Sequence, residues 1–199
     1  MIFEFTGAYE SGLPEQLSNF SKALQEAMVS EVPPAIPANW TQAFNFLSGF
    51  LKNKLGKQPL VILLDEFPWM HTPKSGFLST FEHWWNTWAS RQPQLKVILC
   101  GSAASWMIKN IINSKGGLHN RITRPAIQLM PFTLCETRDY LVSRGIKMKL
   151  YQVLQLYMAM GGVPQYLKQI QKGESPQQVI DRLFFAAKAM LKVEFKNLY

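Results

Sequence analysis

Two acidic residues, Asp65 and Glu66, directly follow an apolar run at residues 60–64, where their side chains could do chemistry. A continuous apolar run is typical of a strand buried on both faces of a parallel sheet. Ligands of such sheets bind in the crevice beyond the carboxyl ends of the strands. Because Mg²⁺ prefers carboxylate and phosphate oxygens with water, we predict that Asp65 holds magnesium, mostly through water. Glu66 would then orient or deprotonate a water that attacks a phosphate. The alternative is a simple acidic turn or helix cap after a strand.

A hydroxyl group follows the next predicted strand along the chain. Residues 96–100 form a short, mostly apolar segment that is followed by Gly101 and Ser102. If the two strands are neighbours, Ser102 lies beside the acids and can position the attacking water. Ser102 could equally cap the helix predicted from Ala103 to Ile112, and the two roles are compatible.

The histidines and cysteines do not indicate a second kind of site. Neither the three histidines nor the two cysteines have the spacing of a metal site, and two lone thiols are not a disulfide framework. We interpret Cys100 as a core residue at a buried strand end. The chain shows no secretory signal and no apolar run long enough to cross a bilayer, so we expect no membrane association and a cytoplasmic location.

The chemistry-bearing residues need a sheet to position them, and the hydrophobic pattern supplies one. The predicted strands cover residues 2–6, 60–64 and 96–100, with a weaker one at 126–129. The predicted helices cover residues 13–28, 40–55, 77–88, 103–112 and 151–160, and capping boxes at Thr133 and Ser175 start two more. This alternation predicts a three-layer parallel α/β core over residues 1–130, followed by a small all-helical part over residues 131–199.

The composition is sufficient for a packed core but does not identify a binding partner. Hydrophobic residues make up 47% of the 199 residues, so the chain can bury a real core. The formal charge of +8 fits either a nucleic-acid partner or a solvated basic surface. The positive charges are scattered without a dense stripe, and true DNA binding would weaken steeply as salt rises.

Six segments, in the same order along the chain, resemble the AAA-type ATPase family widespread in archaea and some bacteria, a branch of the P-loop NTPases. They are Val-Ile-Leu-Leu-Asp-Glu-Phe (61–67), Ser-Gly-Phe-Leu-Ser-Thr-Phe-Glu-His-Trp-Trp-Asn (75–86), Cys-Gly-Ser-Ala-Ala-Ser-Trp (100–106), Gly-Gly-Leu-His-Asn-Arg-Ile-Thr (116–123), Pro-Phe-Thr-Leu (131–134) and Met-Gly-Gly-Val-Pro (160–164).

The resemblance implies a role for each candidate residue. Asp65 and Glu66 correspond to the Walker B pair, and Ser102 corresponds to the sensor residue at the end of a neighbouring strand. Arg121 lies where related ATPases carry an arginine that stabilises charge on the transferred phosphate; its alternative, shared with Arg124, is ordinary surface charge. The implied cofactors are ATP and Mg²⁺, and residues 131–199 would belong to a helical lid.

One departure from the family weakens the expectation of activity. The sequence holds no Gly-x-x-x-x-Gly-Lys-Ser/Thr motif, so the family's first strand and its phosphate loop have no counterpart. We expect the chain to correspond to the family from the second strand onward, to bind ATP weakly or not at all alone, and to be poorly soluble. Two alternatives remain. One is a non-catalytic module that binds a protein partner or a second copy of the chain. The other is a nucleic-acid-binding domain.

Overall fold

The computed structural model describes residues 2–30, 34–56, 58–114, 116–118, 121–122, 126–186, 189 and 191. The chain forms two compact units, Met1–Ala126 and Ile127–Tyr199. The first unit is mixed α/β, and the described part of the second is helical.

The first unit alternates strands with helices. Its strands are β1 (Phe3–Thr6), β2 (Leu60–Asp65) and β3 (Leu95–Leu99). Its helices are α1 (Leu13–Met28), α2 (Trp40–Lys52), α3 (Phe67–Met70), α4 (Phe77–Thr87) and α5 (Ala104–Met107), with a 3₁₀ turn at Ala89–Arg91 and a π-helical turn at Ile108–Ile112.

The strands form a parallel sheet in the order β1-β2-β3. Thr6 pairs with Asp65 at one side of β2, and Leu64 pairs with Leu99 at the other. Because all three strands run in the same direction, their carboxyl ends meet at one edge of the sheet. Asp65, the last residue of β2, and Glu66, which follows it, therefore lie between the ends of β1 and β3.

The sheet is buried on one face only, which corrects the prediction of a strand buried on both faces. Burial along β2 alternates between buried and half-buried residues. The buried face carries Phe3, Phe5, Leu60, Ile62, Leu64 and Leu95. On the opposite face Val61 and Leu63 are half-buried, and Ile98 is 50% exposed. The described part of this unit therefore has two layers where three were predicted, and an apolar run alone could not distinguish the two cases.

An aromatic cluster joins the helices to the buried face. Phe20 of α1 contacts Phe3 and Phe5 of β1, with ring centroids 5.3 Å apart in both pairs. Phe44 of α2 stacks on Trp84 of α4 at 5.1 Å. The buried residues of α4 are Phe77, Phe81 and Trp84, which form one apolar stripe of the helix.

The beginning of α2 is capped by Asn39. The Asn39 side chain accepts a hydrogen bond from Gln42 N at 2.9 Å. The Gln42 side chain reaches back to Ala38 N at 2.7 Å instead of bonding to Asn39. The helix ends at Lys52, three residues before the predicted end at residue 55.

The strand predicted at residues 126–129 is wrong. These residues carry no strand assignment, and Ile127 and Leu129 are 84% and 88% exposed. Residues of high β-propensity form a strand only when a neighbouring strand completes the ladder. Residues 126–129 therefore have β-forming side chains, but no strand among the described residues pairs with them.

The second unit packs short helices around its own core. These are α6 (Leu134–Ser143), α7 (Leu150–Met160), α8 (Pro164–Leu167) and α9 (Pro176–Ile180), with a π-helical turn at Asp181–Phe185. Both predicted capping boxes are confirmed, at Thr133 and at Ser175. An ion pair of 2.7 Å joins Arg182 to Glu174. Across the described residues of both units, no helix combines the length and apolarity that a membrane span requires.

A buried hydrogen bond between α2 and α4 gives a stability prediction. Trp84 Nε1 donates to Ser48 Oγ at 2.8 Å, and Ser48 donates to Phe44 O. Ser48→Ala leaves the indole N–H buried without this acceptor, so we expect a loss of about 1–3 kcal/mol in unfolding free energy. Urea-induced unfolding of the variant and the parent measures this loss of free energy. The exposed control Ser79→Ala should change stability by less than about 0.5 kcal/mol, and equal effects of the two variants would contradict the prediction.

Candidate functional site

The turn after β2 determines where the Glu66 side chain points. Glu66 has a left-handed backbone conformation, with φ 47° and ψ 45°, and it precedes the short helix α3. Residues other than glycine rarely adopt this conformation, and each instance costs on the order of 1 kcal/mol. The turn is held at both sides, since Gly7 N donates to Asp65 O and Phe67 N donates to Cys100 O, both at 2.9 Å.

Two glycines allow the neighbouring segments to approach this turn. A Cβ atom added to Gly7, at the end of β1, would lie 2.6 Å from Glu66 O. A Cβ atom added to Gly101, after β3, would lie 2.6 Å from Pro68 Cδ. Both positions therefore require glycine because of close packing and not because of an unusual φ angle.

The structure brings Glu66 and Ser102 together. Glu66 Oε2 accepts a hydrogen bond from Ser102 Oγ at 2.9 Å and a second from Ser102 N at 3.2 Å. The structure therefore has the predicted arrangement, in which a carboxylate at the end of one strand lies beside a hydroxyl group at the end of the next strand. Ser102 does not cap α5 with its side chain, since that helix has no side-chain cap.

Asp65 lies beside Cys100 at the same edge of the sheet. Cys100 is exposed, which corrects its interpretation as a core residue. Partial burial of the thiol raises the pKa of Cys100 most, and a hydrogen bond to Asp65 and the negative charges of Asp65 and Glu66 raise the pKa further. The thiol is thus a weak nucleophile, and its contact marks the position of the Asp65 carboxylate.

The oxygen chemistry of this edge fits a magnesium ion. Asp65 and Glu66 are half-buried carboxylates at adjacent positions. No group of three or more histidines, cysteines or acids that could hold a metal occurs within the described ranges. Magnesium does not need one, because it commonly takes one or two carboxylates and completes its coordination with phosphate oxygens and water. Asp65 is the residue that would hold it, while the Glu66 carboxylate is bonded to Ser102.

Arg121 makes no described contact with this pair. Arg121 is exposed, and within the described segments no hydrogen bond or ion pair joins its side chain to Asp65, Glu66 or Ser102. Arg124 and His119 lie outside the described residues. The role of Arg121 stays a prediction.

One buried polar residue at this edge was not among the predicted site residues. Gln16 of α1 is fully buried, and its amide bonds to the backbone of Ala8 and of Trp69. Its signal was visible in the sequence, because Gln16 lies three residues after Leu13 and four before Phe20, on the apolar stripe of the helix. A polar residue on such a stripe indicates a specific hydrogen-bond partner.

No protein-family model matches the chain, and no curated protein matches its sequence. Among solved structures, the chain is similar to a Walker-type ATPase of Pyrococcus abyssi, with a TM-score of 0.60 and 16% sequence identity. The fold is P-loop ATPase-like. The similarity covers 98% of this chain but 63% of the P. abyssi chain, so this chain spans less than two thirds of that protein's length. At this identity, the similarity shows the fold alone.

The contact between Cys100 and Asp65 predicts a change in thiol reactivity. Asp65→Asn removes the negative charge beside the thiol, so the pKa of Cys100 should fall towards its ordinary value and its thiolate fraction should rise. We expect alkylation by iodoacetamide at pH 8 to become severalfold faster, as measured by mass spectrometry of the modified peptides. Cys135 serves as the internal control, and an unchanged Cys100 rate would contradict the predicted contact.

Proposed function

We propose that the carboxyl edge of the sheet is the magnesium-holding and water-activating part of an ATP-hydrolysing site. The observation that carries this proposal is the contact of Glu66 with Ser102, because it places a base and a hydroxyl at the end of adjacent parallel strands. The P-loop ATPase-like fold supports it, since ligands of such sheets bind beyond this edge. ATP and Mg²⁺ are the proposed cofactors.

In this proposal the two acids have different tasks. Asp65 holds magnesium, mostly through water. The bound ion would neutralise charge on the phosphate oxygens. Glu66 accepts the proton of the attacking water. Both Ser102 donors bond to Glu66 Oε2, so Oε1 is the oxygen that we assign to the water.

Ser102 fixes the proposed base by two hydrogen bonds from one residue. A carboxylate held in this way samples fewer orientations, so less entropy is lost when the water binds. The Ser102 hydroxyl could also turn towards the water, because a serine O–H rotates freely about its C–O bond. The backbone N–H of Ser102 would then hold the base while its hydroxyl positions the nucleophile.

The triphosphate needs a further binding element. Since no phosphate-loop motif is present in the sequence, we propose that the loop comes from outside these 199 residues. Among the described residues no strand pairs with the outer edge of β3, so the strand that carries the loop could pair there. Cys100 N donates to Leu64 O of β2, and in a parallel ladder successive residues face opposite edges. Val97 and Leu99 therefore direct their backbone N–H and C=O groups to this outer edge.

Two finer assignments belong to the same proposal. We assign Arg121 as the arginine that stabilises charge on the transferred phosphate. We assign the helical unit, Ile127–Tyr199, as the small helical part that accompanies such ATPase cores. Both assignments rest on the resemblance of sequence segments and on the similarity of fold.

Calorimetric titration with ATP and magnesium tests the proposal. Because a phosphate loop is not in this sequence, we expect weak, magnesium-dependent binding at millimolar ATP. Asp65→Ala should weaken binding about tenfold, the equivalent of ~1.4 kcal/mol, because it removes the metal's carboxylate. Glu66→Gln should leave affinity largely intact and should abolish turnover in any preparation that hydrolyses ATP.

The exposed acid Glu26 provides a matched control. Glu26→Gln removes the same charge as Glu66→Gln and should change neither binding nor turnover. No magnesium-dependent heat at millimolar ATP would reject nucleotide binding by this chain and favour a non-catalytic interaction module. Equal turnover of Glu66→Gln and the parent would remove Glu66 from its role.

A further inference from the structure

The buried amide of Gln16 connects α1 to both sides of the turn that carries the acids. Gln16 Oε1 accepts a hydrogen bond from Ala8 N at 3.1 Å, and Nε2 donates to Ala8 O at 2.7 Å. The same Nε2 atom donates to Trp69 O at 3.0 Å. Gln16 is 0% exposed, so water does not compete for these bonds.

These bonds close a ring through the backbone of Asp65 and Glu66. Ala8 follows Gly7, whose N–H donates to Asp65 O at 2.9 Å. On the other side, Trp69 N donates to Glu66 O at 2.9 Å. The carbonyl oxygens of both acids are therefore held by segments that Gln16 ties together. One side chain thus fixes the peptide units that precede and follow the Glu66 side chain.

The backbone of Glu66 needs such support. Its left-handed conformation is unfavourable for glutamate by itself and persists where the surroundings determine it. If the ring opened, the turn could relax to an ordinary conformation. The Glu66 side chain would then rotate away from Ser102, although neither residue had been changed.

We propose that Gln16 is a positioning residue that keeps the Glu66 carboxylate on Ser102 by holding the turn in its left-handed conformation. The functional meaning of this role, the orientation of a catalytic base, rests on the proposed function. The structural claim concerns the position of one carboxylate and does not require nucleotide.

Nuclear magnetic resonance of the nucleotide-free chain tests the proposal through the Ser102 amide. That amide is bonded to Glu66, so its chemical shift and its hydrogen-exchange rate report where the carboxylate lies. Glu66→Ala gives the reference values for a Ser102 amide without this bond. Gln16→Leu, which has a similar side-chain volume, should move both values most of the way to the reference and speed exchange at Ser102 at least tenfold relative to the parent.

Ser21→Ala is the matched control for a lost hydrogen bond. Ser21 is also buried in α1, and its hydroxyl donates to Pro34 O at 2.9 Å, away from the turn. Ser21→Ala should leave the chemical shift and the exchange rate of the Ser102 amide unchanged even if the variant is less stable. A folded Gln16→Leu protein with the parent's Ser102 values would overturn the proposal, because Gln16 would then contribute to stability alone.

A second variant addresses the same turn without removing a hydrogen bond. Gly7→Ala places a methyl group against Glu66 O and should also shift the Ser102 amide towards the reference. Gly49→Ala is its control, since a Cβ atom there meets nothing within 4 Å. Should both Gln16→Leu and Gly7→Ala fail to fold, the ring would be assigned to stability and the proposal would be wrong.

The outcome is separable from that of the ATPase proposal. If Ser102 responds to Gln16→Leu but the chain shows no magnesium-dependent nucleotide binding, the positioning claim stands and the catalytic one fails. If nucleotide binding is found but the Ser102 amide does not respond to Gln16→Leu, the positioning claim fails and the ATPase proposal is unaffected.

Discussion

The parallel pairing of β2 between β1 and β3 is the constraint on which the candidate site depends. It brings three carboxyl ends to one edge, so residues far apart in sequence become neighbours: Gly7 after β1, Glu66 after β2, and Ser102 after β3. An antiparallel strand at either position would send its carboxyl end to the opposite edge. The aromatic cluster beneath the sheet stabilises this pairing through the buried face and leaves the edge itself to polar residues.

The edge combines a strained residue with close packing around it. Glu66 adopts a conformation that costs free energy, and the glycines on either side allow backbone contacts that compensate for it. The hydrogen bonds through Gln16 and Ser102 then act on the backbone and the side chain of the same residue. Such local violations of conformational preference are most often found at functional sites, where orientation matters more than stability.

The sequence predicted much of this arrangement, for identifiable physical reasons. The strand that ends at Asp65 and the helix stripe through Trp84 follow from hydrophobic periodicity, and Ser102 follows from its position after a short apolar strand. The open face of the sheet did not follow, because an apolar run has no alternation to reveal which side is covered. The left-handed conformation of Glu66 has no sequence signal, since it is set by contacts from Gly7 and the residues around it and not by glutamate itself.

We propose that Asp65, the last residue of β2, holds a divalent metal ion at the carboxyl edge of the sheet. Paramagnetic broadening by Mn²⁺ tests this most directly, because it detects weak binding and locates it along the chain. Low Mn²⁺ concentrations should broaden the amide resonances of Glu66, Gly101 and Ser102 first, and excess Mg²⁺ should restore them. Broadening that begins at other acids, or that Mg²⁺ does not reverse, would contradict the assignment of this edge as a magnesium site.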